Sequence, residues 1–148
     1  MSYRWQPLNK ERQEIRLLDL KAGAETSFLS GKLRHVFLSD PVKPRYETVS
    51  YAWGESALVK SIVVDEKSIS IPASAAAALR CIRLPQCDRT IWIDCICINQ
   101  DNDNEKSHQV GLMARSSPTL FGHWLSLATT MITPRHTLSR ALHIFLIA

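Results

Sequence analysis

Asp94, Asn99, Gln100 and Glu105 stand between a compact apolar run, Thr90-Ile91-Trp92-Ile93, and a stretch that reads as a helix. A carboxylate delivered at the C-terminal end of a buried strand sits where ligand crevices form in open α/β sheets. Backbone N–H groups at a helix start add a preference for anions and side-chain acceptors. A ligand or catalytic pocket is therefore one chemistry that this segment could support. Local bonding is the other. Asp94 and Asn99 would shape a loop, Glu105 would reach back to cap a helix starting near Asn102, and Gln109 would face solvent or a neighbouring loop.

Other residues capable of chemistry carry less. Trp53, just before Gly54, and Trp92, inside its strand, could stack on a planar ligand, but tryptophans so placed more often serve the core with the indole N–H satisfied. Gly54 would allow a positive φ at a strand end. Cys97 could act as a nucleophile only beside a base, and the nearest histidine, His108, falls on the following helix; a buried inert thiol is the simpler reading. Cys95-Ile96-Cys97 lacks the two-residue gap of zinc knuckles, and the four cysteines, at 81, 87, 95 and 97, include no second pair at ligand spacing, so no metal site is expected. No glycine-rich phosphate loop is present.

The elements that must position these residues follow from patterning. Ile15 to Leu20, Leu33 to Leu38 and Tyr46 to Trp53 read as successive strands, each stopped by a turn signal. Ile62-Val63-Val64 and Ser68-Ile69-Ser70-Ile71 flank Asp65-Glu66-Lys67 as a hairpin whose second arm has one wet face. After Pro72, Ser74 can cap an alanine-rich helix that turns Ala75, Leu79 and Ile82 inward and stops before Pro85. Val110, Met113 and Ala114 would be the buried stripe of the helix after Asn102.

Charge excludes some partners. Residues 1–113 hold 15 Lys/Arg against 14 Asp/Glu, whereas residues 114–148 hold Arg115, Arg135 and Arg140 and no acid, so the net charge of +4 resides largely in the tail. Lys60, Lys67, Arg80, Arg83 and Arg89 are interspersed with acids and form no stripe, which argues against nucleic acid as a partner. The start has no apolar run behind a basic end, and Leu120 to Ile132 is too short to span a bilayer. A cytoplasmic, reduced protein without a membrane partner is expected.

Three segments now read as words: Glu14-Ile15-Arg16-Leu17-Leu18, Tyr46-Glu47-Thr48-Val49-Ser50-Tyr51-Ala52-Trp53-Gly54, and Ile91-Trp92-Ile93-Asp94-Cys95-Ile96-Cys97-Ile98-Asn99-Gln100. Together with Glu105 to Met113 they resemble, in order and spacing, the heterokaryon incompatibility (HET) domain of fungi. The resemblance covers about two thirds of the chain, from Glu14 to Met113. It implies a role in vegetative incompatibility and non-self recognition, where fusion of unlike cells triggers programmed cell death. Its partners would be other incompatibility proteins or further copies of the chain. The family motif positions, which are the candidate binding residues, are Ser50, Tyr51, Trp53, Gly54, Trp92, Asp94, Cys97, Asn99, Gln100, Glu105 and Gln109.

HET domains are held to be distantly similar to TIR domains, some of which cleave NAD. That likeness implies an α/β fold with a central, mostly parallel sheet, a β-hairpin and flanking helices, incomplete here at the C-terminal side. The TIR catalytic glutamate would fall beyond Met113, so none is carried over; no catalytic residue is assigned and no cofactor is expected, NAD entering only under the alternative of an enzyme processing NAD or a nucleotide. After Met113 the pattern departs: Ala114-Arg115-Ser116-Ser117-Pro118 replaces the family's continuation. The organisation expected is an N-terminal extension over 1–13, a partial domain over 14–113 and a divergent tail over 114–148, the tail arising from a frame change, a retained intron or a truncated gene copy. A non-functional remnant is the third reading.

Overall fold

In the computed structural model the described residues are 3–42, 44–51, 59–116 and 142–147, the last six and 113–116 as backbone alone. The strands are β1 (Glu14–Leu20), β2 (Ser30–Phe37), β3 (Tyr46–Tyr51), β4 (Val59–Val64), β5 (Lys67–Pro72), β6 (Arg89–Trp92) and β7 (Leu142–Ile147). The helices are α1 (Ala73–Ile82), the four-residue α2 (Asp94–Cys97) and α3 (Asp103–Ser116). Trp53 and Gly54, and Pro118 with the rest of 117–141, lie outside the described residues.

The strands form one sheet in the order β5-β4-β2-β1-β6-β3-β7. β1 is its middle strand, antiparallel to both β2 and β6. That position explains its composition: Ile15, Leu17, Leu18 and Leu20 are all fully buried, so both faces are covered, although Glu14, Arg16 and Asp19 interrupt the apolar run. The expectation of a mostly parallel sheet is corrected. Only β2 with β4 and β3 with β6 run parallel, and the other four pairings are antiparallel. Hairpins joining β1 to β2 and β4 to β5 impose the antiparallel direction, because connections this short cannot cross over to a parallel neighbour.

β4 and β5 pair Val64 with Lys67, so the hairpin loop is the two residues Asp65 and Glu66, at φ 48° and 64°. Both occupy the left-handed region that a two-residue primed turn requires. Ile69 and Ile71 point inward while Ser68 and Ser70 are exposed, as alternation demands. α1 begins at Ala73, with Pro72 rather than Ser74 in the capping position and no side-chain cap; Ser74 is buried in the first turn. Proline suits a helix start because it has no N–H to lose. Ala75, Ala76, Ala78, Leu79 and Ile82 form the buried face, their small side chains letting the helix lie close against the sheet.

β7 was not foreseen from the sequence. It pairs antiparallel with β3 from Tyr46↔Ile147 to Tyr51↔Leu142, so part of the divergent tail extends the sheet.

Two glycines test these placements with opposite signs. A Cβ on Gly31 in β2 would stand 2.7 Å from Leu18 Cδ1 and 2.8 Å from the Asp19 carbonyl oxygen, so Gly31→Ala must shift the central strand. A Cβ on Gly111 in α3 would meet nothing within 4 Å. Denaturant unfolding of purified variants should show Gly31→Ala losing about 1–3 kcal/mol and Gly111→Ala gaining up to about 1 kcal/mol.

Candidate functional site

The register of β3 with β6, Glu47↔Ile91 and Thr48↔Trp92, brings the C-terminal ends of two adjacent parallel strands to the same edge of the sheet. Ser50 and Tyr51 end one; Trp92, Ile93 and Asp94 leave the other. From there β3 leads to a strand on the far side of β1, and β6 leads into α2, so the chain departs from the two ends toward different parts of the molecule. Such strand ends form ligand crevices in α/β sheets. The Tyr51 hydroxyl lies against Cys95 and Asp94, and burial, then those neighbours, pushes it well above the ordinary phenol range.

Trp92 is 7% exposed and belongs to the core, but its indole N–H has no hydrogen-bond partner, contrary to expectation. The hydroxyls of Tyr46 and Thr48, on the same face of β3 by alternation, are likewise buried and unpaired.

Past β6 the polar residues are consumed by the backbone. Ile93 is extended, φ −139° and ψ 128°, and α2 follows at once. Asp94 accepts the Cys95 N–H at 2.7 Å on Oδ1, and the Gln100 carboxamide donates to the Asp94 carbonyl at 2.9 Å. Asn99 Oδ1 accepts the Asp101 N–H at 3.1 Å, turning the loop. Asn102 caps α3, its Oδ1 accepting from Glu105 N–H at 3.1 Å. The reciprocal half of a capping box is absent: the Glu105 carboxylate accepts instead from the Asn99 N–H at 2.7 Å and from Arg16.

Arg16 is the buried residue whose role pattern reading passed over. It sits in the middle of β1, 0% exposed, where a charge is rare unless paired. Its Nη1 donates to Glu105 Oε1 at 2.6 Å and to the Cys97 carbonyl at 3.2 Å; its Nη2 donates to Glu105 Oε2 at 3.3 Å and to the Gln6 carbonyl. The Trp5 ring lies 4.9 Å from the guanidinium carbon, a cation–π contact. One helical turn beyond Glu105, Gln109 is 0% exposed and donates to the Glu14 carbonyl at 2.9 Å, so it faces neither solvent nor a loop. The Glu14 side chain in turn accepts the Asn9 N–H at 2.6 Å and lies 2.9 Å from His35 Nδ1. The visible signal was an arginine set among Ile15, Leu17 and Leu18, with Glu105 and Gln109 spaced to share one helix face.

The buried stripe of α3 is therefore Glu105, Gln109 and Leu112, and Val110, expected inside, is 53% exposed; Met113 and Ala114 lie beyond the described side chains. A cleft of about 100 Å³ is lined by Pro7, Leu8 and Lys10 together with Asn102, Asn104, Glu105, His108 and Gln109. The strand-end residues do not line it. Among the described residues no group of three or more His, Cys, Asp and Glu could hold a metal ion.

Cys97 is buried, and its sulfur accepts the Ile93 N–H at 3.5 Å. Burial pushes this thiol up to about 12, and pushes Cys95 up as well, the reverse of what a nucleophile needs. Burial also raises Tyr46 to about 12.

Residues 46–116 match the family model described as heterokaryon incompatibility protein (HET). The chain is similar to heterokaryon incompatibility protein 6, OR allele, of Neurospora crassa, at 35% identity over 76% of this chain and 18% of that protein. It thus spans about a fifth of that relative's length. No solved structure matches it.

The thiols and phenols predict two outcomes. A thiol reagent added to the native protein should modify exposed Cys81 and Cys87 and spare Cys95 and Cys97 until denaturant is present, counted by mass spectrometry. Unfolded thiols and phenols release protons near 9.0 and 10.0, whereas Cys97 and Tyr46 hold theirs to about 12 when folded. Above the lower value the unfolded chain binds fewer protons, so stability should fall as pH rises. Denaturant midpoints should be level up to about pH 8 and decline from about pH 9 to 12.

Proposed function

We infer the role of this chain from the premise that it belongs to the fungal heterokaryon incompatibility (HET) family, its domain lying over residues 46–116. On that premise it is a signalling or effector module of vegetative incompatibility, coupling recognition of an unlike cell to programmed cell death. The partners this reading implies are other incompatibility proteins or further copies of the chain, met in the cytoplasm, with no resident cofactor. Among the described residues no helix is long and apolar enough to cross a membrane.

The observation that carries the reading is the convergence of motif segments distant in sequence. Ser50-Tyr51 and Trp92-Asp94 end adjacent parallel strands, and the Asn99 to Gln109 stretch is bonded to the Glu14-to-Leu18 strand through Arg16 and Glu14. The segments that define the family are the segments that touch. Their polar side chains are bonded to one another, which suits a module acting through contact with other proteins.

The enzyme alternative, a TIR-like processor of NAD or a nucleotide, draws less support. The sheet is mixed, and among the described residues the carboxylates of Asp94 and Glu105 that follow β6 are committed: Asp94 to the Cys95 N–H, Glu105 to Arg16 and Asn99.

Induced expression of residues 1–148 in a fungal cell should arrest growth, scored as loss of viable colonies against an uninduced culture. Unchanged growth at protein levels verified by immunoblot contradicts the effector reading and leaves a non-functional remnant in its place.

A further inference from the structure

α3 meets the sheet through polar groups. Of the described side chains it turns inward, over Asp103 to Leu112, Glu105 and Gln109 are polar and Leu112 is apolar, while the apolar Val110 faces out. Over these residues burial of apolar surface, the usual source of helix docking, is therefore limited to Leu112. Its polar attachment to β1 includes two bonds from Arg16 to the Glu105 carboxylate and one from Gln109 to the Glu14 carbonyl. Gly111 weakens the helix itself. The docked state is also incompletely satisfied: Arg16 Nε and Gln109 Oε1 are buried without a partner. Unmade bonds of this kind reduce the advantage of the closed arrangement over one in which water reaches both groups.

β1 does not depend on α3 in the same way. Its ladder bonds go to β2 over seven residues and to β6 over three, and Ile15, Leu17, Leu18 and Leu20 are packed on both faces. Losing α3 would cost β1 no ladder partner.

We propose that α3 is a polar latch, a helix that leaves β1 as a unit while the sheet stays folded, uncovering the Arg16 guanidinium and the Cys97 carbonyl that it helps to enclose. Separation is sharp because one carboxylate holds three donors: both Arg16 nitrogens and the Asn99 N–H. When Glu105 withdraws, the Asn99 loop and the helix start are released together. The latch lies beside the cleft at Lys10 and His108, so the motion opens that side of the domain.

Native-state hydrogen exchange on the full chain tests this, comparing amides of Lys106 to Leu112 with those of Ile15 to Leu20. In the wild type the α3 amides should share one protection level, about 100-fold below that of β1, as expected of sub-global opening. Glu105→Gln and Gln109→Met should each lower α3 protection by a further factor of about ten and leave β1 unchanged. Equal protection of α3 and β1 in the wild type overturns the proposal. So does a Glu105→Gln chain in which the strand loses protection along with the helix, or fails to fold, while Gln109→Met also shifts both.

Discussion

The structure turns on the burial of one guanidinium. Removing an arginine charge from water costs several kcal/mol even after relaxation, and the cost is met only when the charge is paired and its donors are used. Arg16 satisfies the condition by drawing on three separate parts of the chain: the Gln6 carbonyl from the N-terminal segment, the Cys97 carbonyl from the end of α2, and the Glu105 carboxylate from α3. While the guanidinium is enclosed it needs all three partners, so in the closed arrangement the charge fixes where the chain before β1, the turn after β6 and the last described helix lie. The apolar core could not impose this, because apolar burial has little directional preference.

From that constraint follows the character of the candidate site. The stretch from Asp94 to Gln109 looks, as a list of residue types, like a catalytic cluster. Folded, its side-chain amides bond to neighbours: Asn99 to Asp101, Asn102 to Glu105, Gln100 to Asp94, and Gln109 Nε2 to Glu14. What this frame holds is the strand-end edge where Tyr51, Trp92 and Asp94 lie, with the unpaired indole and hydroxyl groups of Trp92, Thr48 and Tyr46 buried beside it. The edge and the frame are physically distinct, although the motif residues are divided between them.

Much of this was legible before folding was considered. Strand periodicity located β1 through β6 to within a few residues, since apolar alternation and turn residues act locally. Directions of pairing were not, because whether β6 lies parallel or antiparallel to a neighbour depends on connections remote from its own residues. Val110 was misassigned to the inward face of α3 for a related reason: it is apolar, but the described inward positions go to Glu105, Gln109 and Leu112, the first two bonded to Arg16 and Glu14 of β1. Asn102 was read correctly as a cap, and Glu105 was given to that cap when a buried arginine had the stronger claim on it. β7 escaped notice because the residues after Met113 follow no pattern that names a partner, and its pairing with β3 is a tertiary fact.

The account stands or falls on whether Arg16 and Glu105 act as a pair, and a double-mutant cycle measures that directly. Arg16→Met and Glu105→Leu, made singly and together, would be compared by denaturant unfolding. A coupling energy of about 2 kcal/mol or more, with the double variant less damaged than the sum of the singles, is the result predicted. Additivity to within about 0.5 kcal/mol would show that the two charges do not sense each other, and would contradict the claim that this pair organises the domain.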